Sequence, residues 1–311
     1  MTQSAHHSLV DSPGVAATAM PGAIRAVLPD GRRQHFQHGP IDLVIEAFGA
    51  AEEVARSYEQ GWRRFETVLG ELVGELGALR TQAPDTPAVS GAIALRMMSA
   101  CSGYGAVFVT PMAAVAGAVA DDILAAMIAG RTLDKAYVNN GGDIAIHLVD
   151  GQFFKAGMVA LANTPMAEGI ATIAADDAVG GIATSGWRGR SLSLGIADSV
   201  TVLAQDAATA DIAATLIANE VDTQSPAVTR TRAGDLDPDS DLGDRLVTTA
   251  VGDLDLMDIE AALDAGQALA RTLVDRGTIT AASLTLQDRH RFAGRPVSPA
   301  ISTTDRKAIA A

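Results

Sequence analysis

The stretch PMAAVAGAVADDILAAMIAG, residues 111–130, and the stretch ADSVTVLAQDAATADIAATLIANEV, residues 197–221, each contain an alanine-rich segment of helical length. The first leads into AYVNNGGDIAIHLV, residues 136–149, which is predicted to be a strand interrupted by two glycines. The second begins with a strand of its own. VADDILAAMIA and TADIAATLIAN are similar, which indicates duplicated helix-and-sheet halves. Because alanine lets a helix lie close to a sheet, the pattern predicts an α+β domain of two layers.

Further strands and helices are predicted around these two segments. Residues 22–48 should form three strands with a turn at Pro-Asp-Gly, and residues 52–80 carry apolar side chains at helical spacing. A hairpin is expected over residues 150–161, where an Asp-Gly turn leads into QFFKAGMVAL. A helix over residues 257–277 and a strand over residues 278–286 complete the predicted domain.

The predicted domain covers residues 21–287. Residues 1–20 are expected to be a mobile leader, and residues 288–311 a loose polar tail. The first residues lack the basic and apolar regions of an export signal, which favours a cytoplasmic protein. Gly103–Ala120 has eighteen residues without a charge, but it contains a proline and runs into two aspartates. It is interpreted as a buried strand and a buried helix, and not as a membrane span.

Composition excludes several classes of function. Hydrophobic residues make up 48% and charged residues 19%, as in a globular protein. The net charge of −14 and the aromatic content of 4% argue against nucleic acid as a ligand. A single cysteine, Cys101, excludes an internal disulfide and a cysteine zinc cage. The sequence also lacks the phosphate-loop, dinucleotide-binding, HExxH and GxSxG motifs.

The acidic run DLDPDSDLGD, residues 235–244, has alternating aspartates like a calcium loop. An EF-hand needs glycine at position six and glutamate at position twelve, and neither register starting at Asp235 or Asp237 provides them. The first interpretation is a solvated loop, and incidental cation binding is the alternative.

The sequence NNGGDI contains two glycines inside an apolar strand, at a cost in backbone entropy. Gly141 and Gly142 would let a flat ligand or another backbone come close, and Asp143 could then accept hydrogen bonds from a ligand hydroxyl or ring N–H. The alternative is a glycine bulge with a capping aspartate.

The sequences TSGWRGRS and ADIAAT are two further candidates. The first could hold a phosphate through exposed amides, hydroxyls and arginines, or it could be an ordinary polar turn. The second places Asp211 and Thr215 on one helix face, where they offer oxygen ligands for Mg²⁺, although the same spacing also occurs in caps.

Taken in order, these motifs resemble the ApbE superfamily, best known for FAD:protein FMN transferases. The resemblance is closest to an uncharacterised ApbE-like branch, and it covers about residues 20 to 285. It is carried by PMAAVAG (111–117), NGGD (140–143), GRSLSLGIAD (189–198) and ADIAATLIAN (210–219). The resemblance supports the two-layer, T-fold-like α+β domain.

The resemblance implies a flavin nucleotide such as FAD as ligand and Mg²⁺ as cofactor. Asp211 and Thr215 match the residues that hold the metal. A threonine or serine of a target protein would then attack the diphosphate. The candidate residues for the ligand are Asn140, Gly141, Gly142, Asp143, Thr184, Ser185, Gly186, Arg190 and Ser191.

This sequence departs from the transferases in several places. GRSLSLGIAD contains no histidine, Arg190 replaces a histidine common in the closer branch, and Asn139 replaces a glutamate. One hypothesis is therefore a Mg²⁺-assisted flavin-binding protein, either a transferase or another enzyme acting on a flavin nucleotide. The other is a non-catalytic accessory protein for a partner enzyme, and the branch has been associated with sulfur assimilation. A homo-oligomer is expected, because a sheet face or edge would otherwise stay uncovered.

Overall fold

The computed structural model describes residues 22–105, 107–158 and 169–294. The strands are β1 (Ile24–Val27), β2 (Gln34–His38), β3 (Ile41–Gly49), β4 (Leu133–Asn140), β5 (Asp143–Leu148), β6 (Phe153–Met158), β7 (Gly169–Ala174), β8 (Gly181–Ser185), β9 (Ser199–Ala204), β10 (Val228–Arg232), β11 (Leu246–Val251), β12 (Ala281–Leu286) and β13 (Arg289–Gly294). The helices are α1 (Ala51–Leu79), α2 (Ala92–Cys101), α3 (Val115–Ile128), α4 (Ala207–Glu220), α5 (Ala233–Leu236) and α6 (Leu256–Asp275).

Nine strands form one antiparallel sheet in the order β1-β2-β3-β4-β5-β8-β9-β12-β13. Strands β6 and β7 pair separately, as do β10 and β11. The two halves of the large sheet meet where β5 and β8 pair, and this pairing has only two register positions, Ile144 with Ile182 and Ala145 with Gly181. The described residues thus form two sheet halves joined along a short pairing.

The helices cover one face of this sheet. Ile45 is opposite Val138, Val138 is opposite Ala145, and all three are fully buried against α1 and α3. In the second half the buried Val202 lies opposite Ala282 and packs in the cluster that includes α4 and α6. The expected two-layer α+β architecture is therefore confirmed.

Helix α1 begins and ends within a residue of its predicted bounds, because its apolar face is long and regular. Phe65 is fully buried, and Phe36 from β2 packs edge-on against Trp62 with ring centroids 5.1 Å apart. Burying such aromatic side chains contributes about 1.5–3 kcal/mol each. This cluster holds the first half of the sheet against α1.

Helices α3 and α4 are the predicted alanine-rich helices, and they cross in close contact. A Cβ atom on Gly117 would lie 2.2 Å from the carbonyl oxygen of Ala207, so only glycine fits there. Asp121 accepts backbone N–H groups of Ala207 at 3.0 Å and Ala208 at 2.9 Å, at the start of α4. Burial raises the pKa of Asp121 to about 6. The crossing fixes the position of α4 relative to α3.

The stretch Pro111–Ile128 is long and apolar enough to cross a membrane by length and composition, with a mean hydropathy of 1.6. In the structure 61% of it is buried inside the protein, where α3 packs against its neighbours. The predicted buried helix is therefore present. The strand predicted before it is not, because residues 103–105 and 107–110 form turns and irregular backbone.

Three other expectations were wrong. Instead of a loose polar tail from residue 288, the chain forms β13 over Arg289–Gly294, which pairs with β12. The expected hairpin after Asp150-Gly151 does not form, since β6 pairs with β7 and β5 pairs with β4 and β8. Gly141 and Gly142 do not interrupt one strand but make the turn between two. The predicted leader over residues 1–20 lies outside the described residues.

Candidate functional site

The turn between β4 and β5 is the first part of the site. Gly141 and Gly142 have φ values of 68° and 119°, which glycine adopts without the strain of a side chain. The Gly142 N–H donates to the Asn139 side-chain oxygen at 2.9 Å. The buried Asn140 amide donates to the carbonyl oxygen of Ala116 at 3.1 Å. The turn is thereby tied to the start of α3.

Asp143 follows this turn and faces the second half of the sheet. Its carboxylate accepts the backbone N–H of Thr184, at the end of β8, at 3.2 Å. Burial raises the pKa of Asp143 to about 7, although the Thr184 N–H and the positive charge of Arg190 act in the opposite direction. Asp143 is thus a carboxyl group whose charged form is costly in the ligand-free protein.

Asp211 lies one turn into α4. Its Oδ2 accepts the backbone N–H of Gly117 at 3.0 Å, so the close crossing of α3 and α4 brings the carboxylate to the start of α3. Burial raises the pKa of Asp211 well above its ordinary value, and the negative charge of Asp143 raises it further. Two carboxylates from different halves of the sheet therefore lie within electrostatic reach of each other.

The loop after β8 is held by a buried carboxylate, Asp198. The Trp187 indole N–H donates to it at 3.1 Å, and the Arg188 guanidinium and the Gln287 backbone N–H also donate to it. Arg188 is therefore committed to a structural ion pair. Arg190, two residues later, instead lies against the glycine turn, because a Cβ on Gly141 would be 2.1 Å from its Nη2.

Five predicted site residues are thus brought together by direct contacts or electrostatic effects: Gly141, Asp143, Thr184, Arg190 and Asp211. Asn140 lies opposite Asp143 in the pairing of β4 with β5. Gly142 lies in the same turn as Gly141. Four other predicted site residues form no hydrogen bond with the Asp143 or Asp211 carboxylate in the part of the chain that the structure describes. They are Ser185, Gly186, Ser191 and Thr215. Thr215 is half-buried one helical turn after Asp211.

The sequence analysis missed two groups that position the site. Gly117 and Asp121 fix the crossing of α3 and α4, and a glycine within an alanine-rich helix was the available signal. The acidic loop is also less independent than expected, since the buried Thr110 hydroxyl donates to the half-buried Asp241 carboxylate next to the start of α3. Most residues of the loop are exposed, as expected of a solvated loop, and Asp241 is its contact with the stretch before α3.

The candidate site is defined by its polar groups. Two open depressions, of about 640 Å³ and about 400 Å³, are lined by other residues, including Thr280 in the first and His147 in the second. Over the described ranges, no cluster of three or more His, Cys, Asp or Glu side chains could hold a metal ion. The site offers two carboxylates, a nearby threonine hydroxyl and one guanidinium.

Residues 25–292 match a protein family described as "AbpE bacteria". The chain belongs to this family. It is 40% identical over 144 residues to the UPF0280 protein of Methanosphaerula palustris, covering 45% of this chain and 57% of that protein. Its identity to the UPF0280 protein of Methanoculleus marisnigri is 34% over 191 residues, covering 61% of this chain and 75% of that protein. The predicted membership of an uncharacterised ApbE-like branch is confirmed.

Two solved structures align with most of this chain. The flavin transferase ApbE from Vibrio cholerae, solved as a point mutant, is 13% identical, with a TM-score of 0.46 over 89% of this chain and 98% of that chain. The ApbE protein of Thermotoga maritima is 13% identical, with a TM-score of 0.30 over 65% of this chain and 87% of that chain. The chain spans about half the length of several curated relatives, for example 48% and 50% of two further UPF0280 proteins.

Proposed function

We propose that this protein binds a flavin nucleotide, FAD, together with one Mg²⁺ ion. The observation that carries the proposal is the pair of carboxylates Asp143 and Asp211. Each is half-buried, and each has one oxygen with a hydrogen bond from the backbone. The negative charge of Asp143 also raises the cost of charging Asp211. A divalent cation between them would remove the repulsion that the ligand-free protein bears at neutral pH.

The donor set suits Mg²⁺. This ion is usually held by one or two carboxylates, with waters and phosphate oxygens completing an octahedron. Asp143 and Asp211 supply the carboxylates, and Thr215 supplies a hydroxyl oxygen one turn along the same helix. A bound Mg²⁺ would neutralise charge on a diphosphate and polarise it.

The glycine turn suits a flat ring system. Gly142 has open space where a Cβ atom would lie, so an isoalloxazine ring could approach the backbone there. The protein carries a net charge of −14, so a dinucleotide diphosphate needs local positive charge to bind. Membership of an ApbE-like family supports a flavin nucleotide over other dinucleotides.

Transfer of FMN to a protein hydroxyl would require a group that accepts the hydroxyl proton. The described histidines lie elsewhere: His35 contacts Asp42, His38 packs against Phe65, His147 lines a separate depression and His290 contacts Thr285. This distribution favours, as second candidate, an accessory protein that binds the nucleotide and assists a partner enzyme. A transferase would instead use one of the site carboxylates as the base.

The proposal extends to the setting of the protein. We place it in the cytoplasm as a homo-oligomer whose ligands are small molecules and not nucleic acid. Light scattering of the purified protein tests the assembly, and a monomeric mass would contradict it.

Titration with FAD, followed by flavin fluorescence, tests the proposed function. We expect saturable binding that Mg²⁺ strengthens and EDTA weakens. Asp211→Ala should reduce the affinity at least about tenfold, since a charge-assisted contact is worth about 1.5–3 kcal/mol. Asp275→Ala is the control, because Asp275 is exposed near the end of α6. Absence of saturable binding of FAD, FMN and ADP by the wild-type protein would refute the proposal.

A further inference from the structure

Arg190 is a cation that the described protein leaves without a partner. Among the described residues, no hydrogen bond or ion pair reaches its guanidinium, whereas the neighbouring Arg188 is paired with Asp198. A guanidinium carries five N–H donors in a planar fork that matches phosphate oxygens. Arg190 is also exposed, so its donors are available to a ligand.

Arg190 lies against a glycine. A Cβ atom on Gly141 would lie 2.1 Å from Nη2 and 3.2 Å from Cζ of Arg190, so the guanidinium rests on bare backbone. Its positive charge also lowers the pKa of Asp143, which places it within electrostatic reach of that carboxylate. The cation thus acts on Asp143 without forming a hydrogen bond with it.

We infer that Arg190 binds a phosphoryl group of the nucleotide. We also infer that Gly141, which has no side chain, leaves the space in which the Arg190 guanidinium lies. The inference rests on the proposed function and adds a specificity-determining residue to it. Two positive centres would then hold the ligand: the cation between Asp143 and Asp211, and the guanidinium over Gly141. Such a pair favours ligands with a diphosphate, such as FAD and ADP, over riboflavin, which has no phosphate.

Binding of FAD, ADP and riboflavin to Arg190→Ala and Arg190→Lys tests the inference, by titration calorimetry at fixed Mg²⁺. We expect Arg190→Ala to lose about tenfold to a hundredfold in affinity for FAD and ADP and to keep its affinity for riboflavin. Arg190→Lys should lie between, because an ammonium keeps the charge but not the fork. Arg63→Ala, an exposed arginine on α1, is the control for loss of one positive charge.

Gly141→Ala tests the role of Gly141 without removing the charge of Arg190, because the added methyl group would displace the guanidinium. Gly130→Ala is a matched control: Gly130 has φ 66°, close to the 68° of Gly141, and open space around it. We expect Gly141→Ala to resemble Arg190→Ala in FAD affinity and Gly130→Ala to bind like wild type. The double variant Gly141→Ala/Arg190→Ala should bind about as weakly as Arg190→Ala alone.

The outcomes separate the two proposals. If wild-type protein binds neither FAD nor ADP, the proposed function and this inference both fail. If wild type binds FAD and Arg190→Ala binds it equally well, or loses riboflavin to the same extent as FAD, only the role of Arg190 is overturned. If the losses in FAD affinity of the two single variants add up in the double variant, Gly141 does not act by leaving space for Arg190.

Discussion

Replacing Asp143 by asparagine should make the ligand-free protein more stable at neutral pH. Burial raises the pKa of Asp143 from its ordinary value of 3.8 to about 7. The folded state therefore holds the Asp143 proton more tightly than the unfolded state does. The stability that this proton contributes is fully present below about pH 4 and is lost as the pH rises to about 7. This difference corresponds to at most roughly 4 kcal/mol. Asparagine avoids the cost and keeps an oxygen to accept the Thr184 N–H.

Urea unfolding of wild type and Asp143→Asn in EDTA, from about pH 4 to about pH 8, measures this difference. The two proteins should have similar unfolding free energies at about pH 4, and the variant should gain progressively above it. Added Mg²⁺ should stabilise wild type and not the variant. Asp275→Asn controls for loss of one exposed carboxylate. A variant that is less stable than wild type at about pH 8 would show that Asp143 is a structural cap and refute the reasoning.

Three further predictions concern the packing around the site. Gly117→Ala should destabilise the protein by several kcal/mol, because its methyl group would overlap the α4 backbone. Gly74→Ala in α1, where there is open space, should instead raise the free energy of unfolding by about 0.5–1 kcal/mol. Urea unfolding measures both changes. Cys101, whose pKa burial raises to about 12, should resist alkylation by iodoacetamide until urea is added, as mass spectrometry would show. Asp198→Ala should cost about 1–3 kcal/mol, because the Trp187 and Gln287 N–H groups lose their buried acceptor, and it should shift the fluorescence of Trp187.

The elements predicted correctly are those with a long periodic pattern or a sharp turn. Helix α1 follows from regular apolar spacing. Helix α4 begins at Ala207, directly after Asp206, whose side chain accepts a hydrogen bond from the Thr209 N–H. The first three strands follow from the pattern of residues 22–48 with its Pro-Asp-Gly turn. Such signals are local, so the sequence contains them without knowledge of the fold.

The elements that were missed have weak local sequence signals. Helix α2 has only ten residues, and its buried positions Ile93, Ala94, Met97 and Cys101 form a face too short to stand out. Strand β13 carries polar residues because it lies at the sheet edge, so its sequence resembles a tail. It pairs with the preceding strand β12 across a two-residue turn, and β6 pairs with the following strand β7 and not with β5.

The candidate site was predicted mainly from motif order, and its geometry could not be. Glycine pairs and a D-x-x-x-T spacing occur in many proteins, so local sequence left their roles open. The meeting of Asp143 and Asp211 requires the crossing of α3 and α4, which depends on Gly117 and Asp121. Only the folded chain shows that these two carboxylates repel each other.

The short pairing between β5 and β8 has a consequence for cohesion. Asp143 belongs to one side of that junction, while Thr184 and Asp211 belong to the other. A ligand held by both sides would link them exactly where the fewest backbone bonds do so. Ligand binding should therefore slow hydrogen exchange at the amides of this junction more than at those of the outer strands. The same contacts would then determine both the affinity for the ligand and the strength with which the two halves are held together.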